Sequence, residues 1–292
     1  MDLAGAAAQR APGTAPAALA ILGALVSQNV GAAFAKHLFP QVGSDGVTAL
    51  RVGLSALLLM LAMRPWRMPP ARADIPDIAI YGVTLGCMNL LIYHAFARIP
   101  IGIAVAIEVT GPLAVVVLSS RRPRDLAWVA CAALGLWLLL PLEGAARLDP
   151  RGVAFALGAA LCWALYIVFG KRASVLQGGH AVAWGMLAAA LFTVPFGAAH
   201  AGGALLAPDV LGLGLAVALL SSALPYTLEM MALKRLPRRV FGILVSSAPA
   251  VAALAGFLVL GERLGALQWL AIALVVAASA GSAGTAGSAR AD

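Results

Sequence analysis

Ten stretches of predominantly apolar residues run along the chain, separated by short segments that carry proline, glycine and charge. An α-helix needs about 20 such residues to cross the hydrocarbon core of a bilayer, and several of the stretches are close to the short end of that range. We therefore predict ten transmembrane helices, over residues 17–38, 46–63, 77–97, 101–119, 125–141, 152–171, 181–200, 210–233, 240–260 and 266–285.

The composition also favours a membrane protein. Hydrophobic residues make up 62% of the 292 residues and charged residues only 11%, whereas soluble domains average about 25% charged residues. So few charges cannot cover the surface of a soluble protein of this size. The formal net charge of +8 does not indicate a nucleic-acid partner, because the cations stand singly or in short clusters between apolar runs, as topology signals do.

The distribution of lysine and arginine predicts the orientation. With a cytoplasmic N-terminus, 14 cations fall on the inner side and 5 on the outer side, and Arg51 alone lies within a span. Because cytoplasmic loops are enriched in lysine and arginine, we expect both termini in the cytoplasm and an even number of spans. The Ala/Gly/Ser-rich ends, residues 1–15 and 286–292, are predicted to be flexible tails.

A weak internal repeat divides the chain into two halves, 17–141 and 152–285. The Arg-x-Pro sequences that begin at Arg98 and Arg235 are 137 residues apart, and Pro112 and Pro249 are separated by the same 137 residues. Five spans is an odd number, so the second half enters the membrane the opposite way, and the cation counts of corresponding loops reverse accordingly. The predicted fold is thus an all-α integral membrane protein with ten transmembrane helices arranged as two inverted five-helix repeats, which is typical of transporters.

Two charges inside the apolar spans are the main candidates for chemistry. Glu108 lies about 12 Å into the fourth span and Arg51 about 8 Å into the second span, measured from the same face at 1.5 Å per residue. Intramembrane charges are costly and mark functional sites. Glu108 could hold a substrate ammonium or bind and release a proton, and Arg51 could hold a substrate carboxylate. The alternative is a structural ion pair between them.

Polar and aromatic residues inside the spans form a second group of candidates. Asn89 and Tyr93 share one face of the third span, Trp163 and Tyr166 share a face of the sixth, and Tyr226 heads a similar face in the eighth. They could line a solute cavity. For each one alone, hydrogen bonding between helices explains the residue equally well.

Other polar groups and small residues have simpler explanations. Glu229 lies one turn before a basic loop, and it is either a snorkelling anchor or a second proton-coupling residue. Lys36 is expected to snorkel at the end of the first span, and His94 to be an exposed interfacial histidine. Gly82 and Gly86 form a GxxxG sequence, which indicates close helix packing.

Nothing in the sequence indicates an enzyme. HExxH, GxSxG and GxxxxGK[ST] sequences are absent, and the charges within spans are isolated. Cys87, Cys131 and Cys162 all lie in apolar stretches, without paired metal spacing. We interpret them as small core residues, and we expect no disulfide framework, metal site or cofactor.

Several stretches in both halves resemble one family, the bacterial threonine/homoserine exporters, which are EamA-type members of the drug/metabolite transporter superfamily. The most specific is the run from Ile99 to Val115 through Glu108. The others are residues 35–40, 46–51, 86–89, 119–123, 223–226 with Glu229, and the more widespread Gly261-Glu262. The resemblance covers residues 17 to 285.

This resemblance implies an inner-membrane exporter of threonine, homoserine and similar small amino acids, driven by proton exchange. It also implies a central cavity between the halves, with Arg51, Asn89, Glu108, Tyr226 and Glu229 as candidate residues. The expected partners are small amino acids, protons and the lipid bilayer, with no oligomeric state specified. The alternative within transport is an exporter of other metabolites or drugs, although opposite charges at Glu108 and Arg51 suit a zwitterion. A sensor or membrane enzyme is less consistent with short loops and isolated charges.

Overall fold

The computed structural model describes residues 14–118, 123–139, 148–174, 180–225, 228 and 238–288. Every regular element in these ranges is helical. The α-helices are α1 (Thr14–Ala35), α2 (Phe39–Met63), α3 (Ile75–Phe96), α4 (Ile101–Glu108), α5 (Thr110–Leu118), α6 (Pro123–Leu139), α7 (Pro150–Ser174), α8 (His180–Ala201), α9 (Pro208–Ala218), α10 (Arg238–Val245), α11 (Ala248–Leu260) and α12 (Ala266–Ser288).

Five helical segments are long and apolar enough to cross a bilayer: Pro16–Met63, Arg72–Phe96, Pro150–Phe169, His180–Leu206 and Ile243–Leu260. Four shorter apolar helices accompany them. The outer surface is itself apolar, since Leu19, Leu161, Leu191 and Leu258 are each more than 60% exposed. Such side chains are stable in contact with lipid, so the chain is a multi-pass membrane protein. The number of ten spans remains a prediction.

The first two predicted spans are joined more closely than the sequence suggested. A single 3₁₀ turn, Lys36–Leu38, leads from α1 directly into α2. Within α2, Gly43 has φ +66° and interrupts the helix, a conformation that glycine adopts without steric cost. The regular helix that carries Arg51 therefore begins just after Gly43, close to its predicted start at residue 46.

The predicted fourth and ninth spans are each two helices rather than one. The fourth is interrupted at Val109, between α4 and α5, and the ninth at Ser246 and Ser247, between α10 and α11. The cause is a proline three residues after each break, because Pro112 and Pro249 have no N–H to donate to the carbonyl four residues earlier. Those carbonyls belong to Glu108 and Val245, respectively.

A side-chain hydrogen bond accompanies each break. Thr110 Oγ1 donates to the carbonyl of Ile107 at 2.6 Å, and Ser247 Oγ donates to the carbonyl of Leu244 at 2.7 Å. Each hydroxyl thus satisfies a carbonyl at the end of the preceding helix. Donors and acceptors in the two bonds are separated by the same 137 residues as the predicted repeat.

Close helix packing holds the centre of the bundle together. Helix α3 packs against both α7 and α8, α2 packs along α8, and α6 packs along α12. The GxxxG prediction is confirmed: a Cβ on Gly82 would lie 2.4 Å from Ala188 Cβ, and one on Gly86 would lie 3.1 Å from the carbonyl oxygen of Ala189. These two glycines therefore let α3 approach the backbone of α8.

The helices extend slightly into the segments predicted as tails. Helix α1 begins at Thr14 and α12 ends at Ser288, so the tail residues next to each helix are helical. Their alanine content explains this, because alanine has the highest intrinsic helix propensity. The division into halves at 17–141 and 152–285 remains a prediction.

Candidate functional site

A cavity of about 310 Å³ lies at the centre of the helix bundle. Six of the residues predicted to bind substrate line it: Arg51, Asn89, Tyr93, Glu108, Trp163 and Tyr166. They come from helices α2, α3, α4 and α7, which are distant in sequence. The volume is within the usual range for small-molecule sites, and the lining combines an apolar wall with opposite charges.

The guanidinium of Arg51 is buried and held by three hydrogen bonds. Its Nε donates to Ser221 Oγ at 2.8 Å and its Nη2 donates to the Ser221 carbonyl at 3.1 Å. Its Nη1 donates to Asn89 Oδ1. The same guanidinium lies 5.4 Å from the centre of the Tyr93 ring, which adds a cation–π attraction. Arg51 is thus fixed by neighbours on two other helices.

Glu108, the last residue of α4, is also buried, being 8% exposed. Among the described residues, no ion pair within 4 Å joins its carboxylate to Arg51. The two charges are nonetheless close enough for electrostatic attraction across the cavity. A direct structural ion pair, one of the two alternatives from the sequence, is therefore not the observed arrangement. Both residues line the same cavity.

Aromatic side chains form part of the cavity wall. Tyr166 of α7 stacks on Tyr81 of α3 with ring centroids 4.9 Å apart, and the Tyr81 hydroxyl donates to the Tyr166 hydroxyl at 3.2 Å. Trp163 lies one turn earlier on α7 and also lines the cavity. The predicted shared face of Trp163 and Tyr166 is thus directed toward this space, while Tyr226 and Glu229 lie outside the described residues.

Three polar residues at the site were not assigned to it from the sequence. Gln28 and Asn29 of α1 line the cavity, and Ser221 binds Arg51. Ser221 had one readable signal, since it is a hydroxyl near the middle of an apolar span. Its partner Arg51 is 170 residues away in the chain. Local sequence patterns do not reveal contacts between residues so far apart.

Lys36 does not simply extend to the membrane surface. Its Nζ lies 2.7 Å from Glu262 Oε1, and Glu262 Oε2 accepts a hydrogen bond from the backbone N–H of Ile101 at 3.0 Å. Lys36 thus has a partner that the snorkelling expectation did not include, a carboxylate from the segment between α11 and α12. We call these two interactions the Lys36–Glu262 contact. It joins the end of α1 to the start of α4.

His94 is also paired rather than exposed. Its Nε2 lies 2.9 Å from Asp45 Oδ1, and its Nδ1 lies 3.0 Å from Ser44 Oγ. His200 Nδ1 approaches the other oxygen of Asp45 at 3.7 Å. The expectation of an exposed interfacial histidine is therefore wrong. This Asp45 cluster connects α2, α3 and α8 at the same end of the bundle as the Lys36–Glu262 contact.

Within the described ranges, no group of three or more histidine, cysteine, aspartate or glutamate side chains could hold a metal ion. Cys87, Cys131 and Cys162 are free thiols. The chemistry available at the cavity is therefore that of a fixed cation, a carboxylate with no ion-pair partner among the described residues, and aromatic surfaces. Such a site can bind a small molecule that carries both charges.

Comparison with known proteins identifies relatives of this chain. The model of the EamA-like transporter family matches residues 150–283. The threonine/homoserine exporter RhtA of Escherichia coli (strain K12) is 52% identical over 262 residues, covering 89% of each chain. RhtA of Salmonella typhimurium (strain SL1344) is 52% identical over 264 residues, covering 90% of each chain. These relatives are membrane exporters and not enzymes.

Two more distant similarities also cover most of the chain. The uncharacterized transporter YwfM of Bacillus subtilis (strain 168) is 29% identical over 246 residues, covering 79% of this chain and 80% of that one. A solved crystal structure of a protein with 21% identity has a TM-score of 0.59 and covers 94% of this chain and 98% of that one; at this identity, the likeness concerns the fold alone. With half of its residues identical to RhtA over nine-tenths of their lengths, the chain belongs to the threonine/homoserine exporter family of EamA-like transporters.

Proposed function

We propose that the protein exports threonine, homoserine and similar small amino acids across a bacterial inner membrane. The observation that carries this proposal is the presence of Arg51 and Glu108 in one buried cavity without a close contact between them. Relatives with 52% identity are named as threonine/homoserine exporters, which supports the same substrate class. A zwitterion is the ligand whose charges complement both groups.

The substrate carboxylate binds Arg51 and the substrate ammonium binds Glu108. A guanidinium presents a rigid set of N–H donors that matches carboxylate geometry, and charge-assisted hydrogen bonds are stronger than neutral ones. The low local dielectric of a buried site strengthens both interactions. Trp163 and Tyr166 provide the surface against which a small aliphatic or hydroxylated side chain packs.

Transport follows alternating access between two inverted five-helix halves, 17–141 and 152–285. The interrupted helices support this proposal, because the breaks at Val109 and Ser246 occur at the offset of the sequence repeat. Transporters with inverted repeats place their sites near the membrane midplane, at discontinuous helices. Both breaks here are adjacent to cavity-lining residues, Glu108 and Val245.

Proton exchange drives export through Glu108, with Glu229 as a second candidate. A carboxylate that binds either a proton or a substrate ammonium cannot hold both at once. Binding of a periplasmic proton therefore displaces the ammonium, and loss of that proton to the cytoplasm restores the site for the next substrate. This competition is sufficient for antiport without a separate coupling site.

The protein lies in the inner membrane with both termini in the cytoplasm. The distribution of 14 inner and 5 outer cations supports this orientation. The end of the bundle that carries the Lys36–Glu262 contact and the Asp45 cluster then faces the periplasm.

The decisive experiment is uptake of labelled threonine and homoserine into everted membrane vesicles. An imposed gradient with an acidic vesicle lumen, which corresponds to the periplasm, represents the direction that drives export, and vesicles without the protein are the control. We expect uptake that depends on the protein and is stimulated several-fold by the gradient. Protein-dependent uptake of neither amino acid would contradict the substrate assignment and favour the alternative of an exporter of other metabolites. Uptake without any response to the gradient would contradict proton coupling alone.

A further inference from the structure

The turn that follows α9 departs from α-helical geometry beside Arg51. Residues Leu219–Ala223 form a π-helical turn, in which hydrogen bonds span five residues instead of four and backbone carbonyls become available to other partners. Two consecutive carbonyls of the turn are used in this way. Leu220 accepts a hydrogen bond from Ser27 Oγ of α1 at 2.6 Å, and Ser221 accepts one from Arg51 Nη2 of α2 at 3.1 Å.

The hydroxyl of Ser221 has a defined orientation. It donates its single proton to the carbonyl of Val217 at 2.7 Å, so its oxygen presents a lone pair to Arg51 Nε. Ser221 therefore offers the guanidinium two acceptors, one from its side chain and one from its backbone. Nε–H and the adjacent Nη2–H lie on one edge of the guanidinium, and both bind the same residue.

Asn89 holds the opposite side of the guanidinium, and a hydrogen bond within its own helix orients it, as for Ser221. Its Nδ2 donates to the carbonyl of Leu85 at 2.8 Å, so Oδ1 is the atom that accepts from Arg51 Nη1. Asn89 and Ser221 are each oriented by a carbonyl four residues earlier in their own helix. Both are almost fully buried, at 5% and 1% exposure.

These three hydrogen bonds leave the guanidinium partly free for a ligand. Arginine has five N–H donors, and the described acceptors use three of them. One N–H on each terminal nitrogen has no acceptor among the described residues, although Arg51 lines the cavity. Because Ser221 and Asn89 fix the guanidinium, they also set the direction of its remaining N–H groups.

The π-helical turn is itself kept in place by α1. A Cβ on Gly31 would lie 3.0 Å from both the Cβ and the backbone nitrogen of Ser221, so a larger residue would press against the turn. The hydroxyl of Ser27 binds the neighbouring carbonyl of Leu220. We propose that the π-helical turn, through Ser221, is the positioning element that directs Arg51 at the carboxylate of the substrate.

This inference rests on the proposed function, because it needs Arg51 to bind a carboxylate. The test measures the Kd of purified protein in lipid nanodiscs for threonine and for threonine amide, which lacks the carboxylate charge. The ratio of the two constants reports recognition of the carboxylate. We expect the wild type to prefer threonine by at least about tenfold, the effect of a hydrogen bond to a charged group.

Ser221→Ala should lower that preference about five- to tenfold by weakening threonine binding, with little effect on binding of the amide. Arg51→Gln should abolish the preference, and Ser221→Ala added to Arg51→Gln should change it less than twofold, because residues that act through one contact are not additive. Ser222→Ala is the matched control. Ser222 is in the same turn and is 2% exposed, while the described hydrogen bonds of Arg51 go to Ser221 and Asn89. It should retain the wild-type preference.

Ser221→Cys protects the test against loss of folding. A thiol has nearly the size of the hydroxyl but is a weak acceptor, so this variant should lose the preference with an unchanged thermal unfolding midpoint. If Arg51→Gln abolishes the preference and both Ser221 variants retain it, the role of Ser221 is overturned and the proposed function stands. If Arg51→Gln itself retains the preference, the carboxylate site at Arg51 and the inference are both overturned.

Discussion

Arg51 and Glu108 have opposite charges but very different surroundings. Arg51 has its donors distributed over Ser221 and Asn89, and it lies against the ring of Tyr93. For Glu108, the described residues provide no hydrogen bond and no ion pair within 4 Å. A buried charge is costly. This environment supports the proposal that Glu108 binds an ion and releases it during turnover.

Glu108→Gln should abolish proton-driven export while the protein remains folded and inserted. Glutamine keeps the size and hydrogen-bonding capacity of glutamate but cannot ionise, so it neither exchanges a proton nor holds an ammonium by charge. Arg51 retains its three hydrogen bonds, so the thermal unfolding midpoint should change little. The measurement is threonine uptake into everted vesicles with an imposed proton gradient, with the amount of inserted protein determined in parallel.

The double variant Glu108→Gln with Arg51→Gln separates this role from a purely structural one. If the two charges mainly stabilised each other, Glu108→Gln alone would cost about 3–5 kcal/mol, and the double variant would restore both stability and export. We expect it to remain inactive. Export by the double variant near the wild-type rate would remove Glu108 from the mechanism and direct attention to Glu229.

The sequence predicted the charged members of this site better than their partners. A carboxylate or guanidinium in an apolar run is visible because it is costly there, and Glu108 and Arg51 were identified on that basis. Serine is common in membrane helices and costs little, so Ser221 carried no comparable signal. Asn89 lines the cavity as predicted. The sequence did not indicate that its side-chain oxygen is bound to Arg51.

At the scale of helices, the interruptions at Val109 and Ser246 are the features next to the cavity, because Glu108 and Val245 line it. Pro112 lies four residues after Glu108 and removes the N–H that would otherwise bind the Glu108 carbonyl. The turn at Val109 thus ends α4 at the carboxylate itself. A continuous helix through this point would rotate the residues on either side of it relative to one another.

Pro112→Ala should lower export at least severalfold without lowering stability. Alanine supplies the missing N–H and favours a continuous helix, so α4 and α5 should straighten and Glu108 should turn from its position in the cavity. Export is measured in everted vesicles and stability by thermal unfolding. Pro195→Ala, a proline within α8 that is exposed and outside the cavity lining, is the control and should export normally. Normal export by Pro112→Ala would show that the interruption is dispensable.

Helices were predicted from the sequence more accurately than their interruptions. Long apolar runs identify helices because lipid requires backbone hydrogen bonds within each segment. The run through Glu108 appeared continuous, since a proline within a membrane helix is compatible with a kink as well as a break. The π-helical turn at Leu219–Ala223 has no proline or glycine to indicate it. Its carbonyls are bound by Ser27 and Arg51, so it depends on tertiary contacts.

At the scale of the whole molecule, the proposed orientation can be tested independently of transport. Reporter fusions after residue 292 should be active only when the reporter functions in the cytoplasm, because the basic loops identify the inner side. A fusion in the loop that follows Phe96, which contains a single arginine, should give the opposite result. Periplasmic activity of the C-terminal fusion would overturn the proposal that both termini lie in the cytoplasm.

Contacts between separate helices join the helix ends at the proposed periplasmic end. The Lys36–Glu262 contact joins α1, α4 and the segment before α12, and the Asp45 cluster joins α2, α3 and α8. Release of a substrate to the periplasm requires these helix ends to separate. The strength of such contacts therefore affects how often the cavity opens on this side.

Glu262→Gln should increase opening at the periplasmic end. Glutamine still accepts the N–H of Ile101 but loses the ion pair with Lys36, which is only partly buried. Partly exposed ion pairs contribute about 0.2–1 kcal/mol, and each 1.4 kcal/mol is a factor of ten, so the expected change is about 1.4- to fivefold. The measurement is the rate at which an impermeant maleimide labels Ala32→Cys, a cavity position, in intact cells that express a variant without the three native cysteines.

Asp209→Asn makes the comparison specific to the ion pair. Asp209 is an exposed carboxylate at the start of α9, at the same end of the bundle, and its conversion to an amide removes the same charge without affecting Lys36. Its labelling rate should equal that of the parent. Lys36→Met removes the other partner and should raise the rate as Glu262→Gln does, because either change abolishes the same attraction. Equal labelling of all four proteins, or an equal increase in Asp209→Asn, would mean that the Lys36–Glu262 contact does not control access from the periplasm.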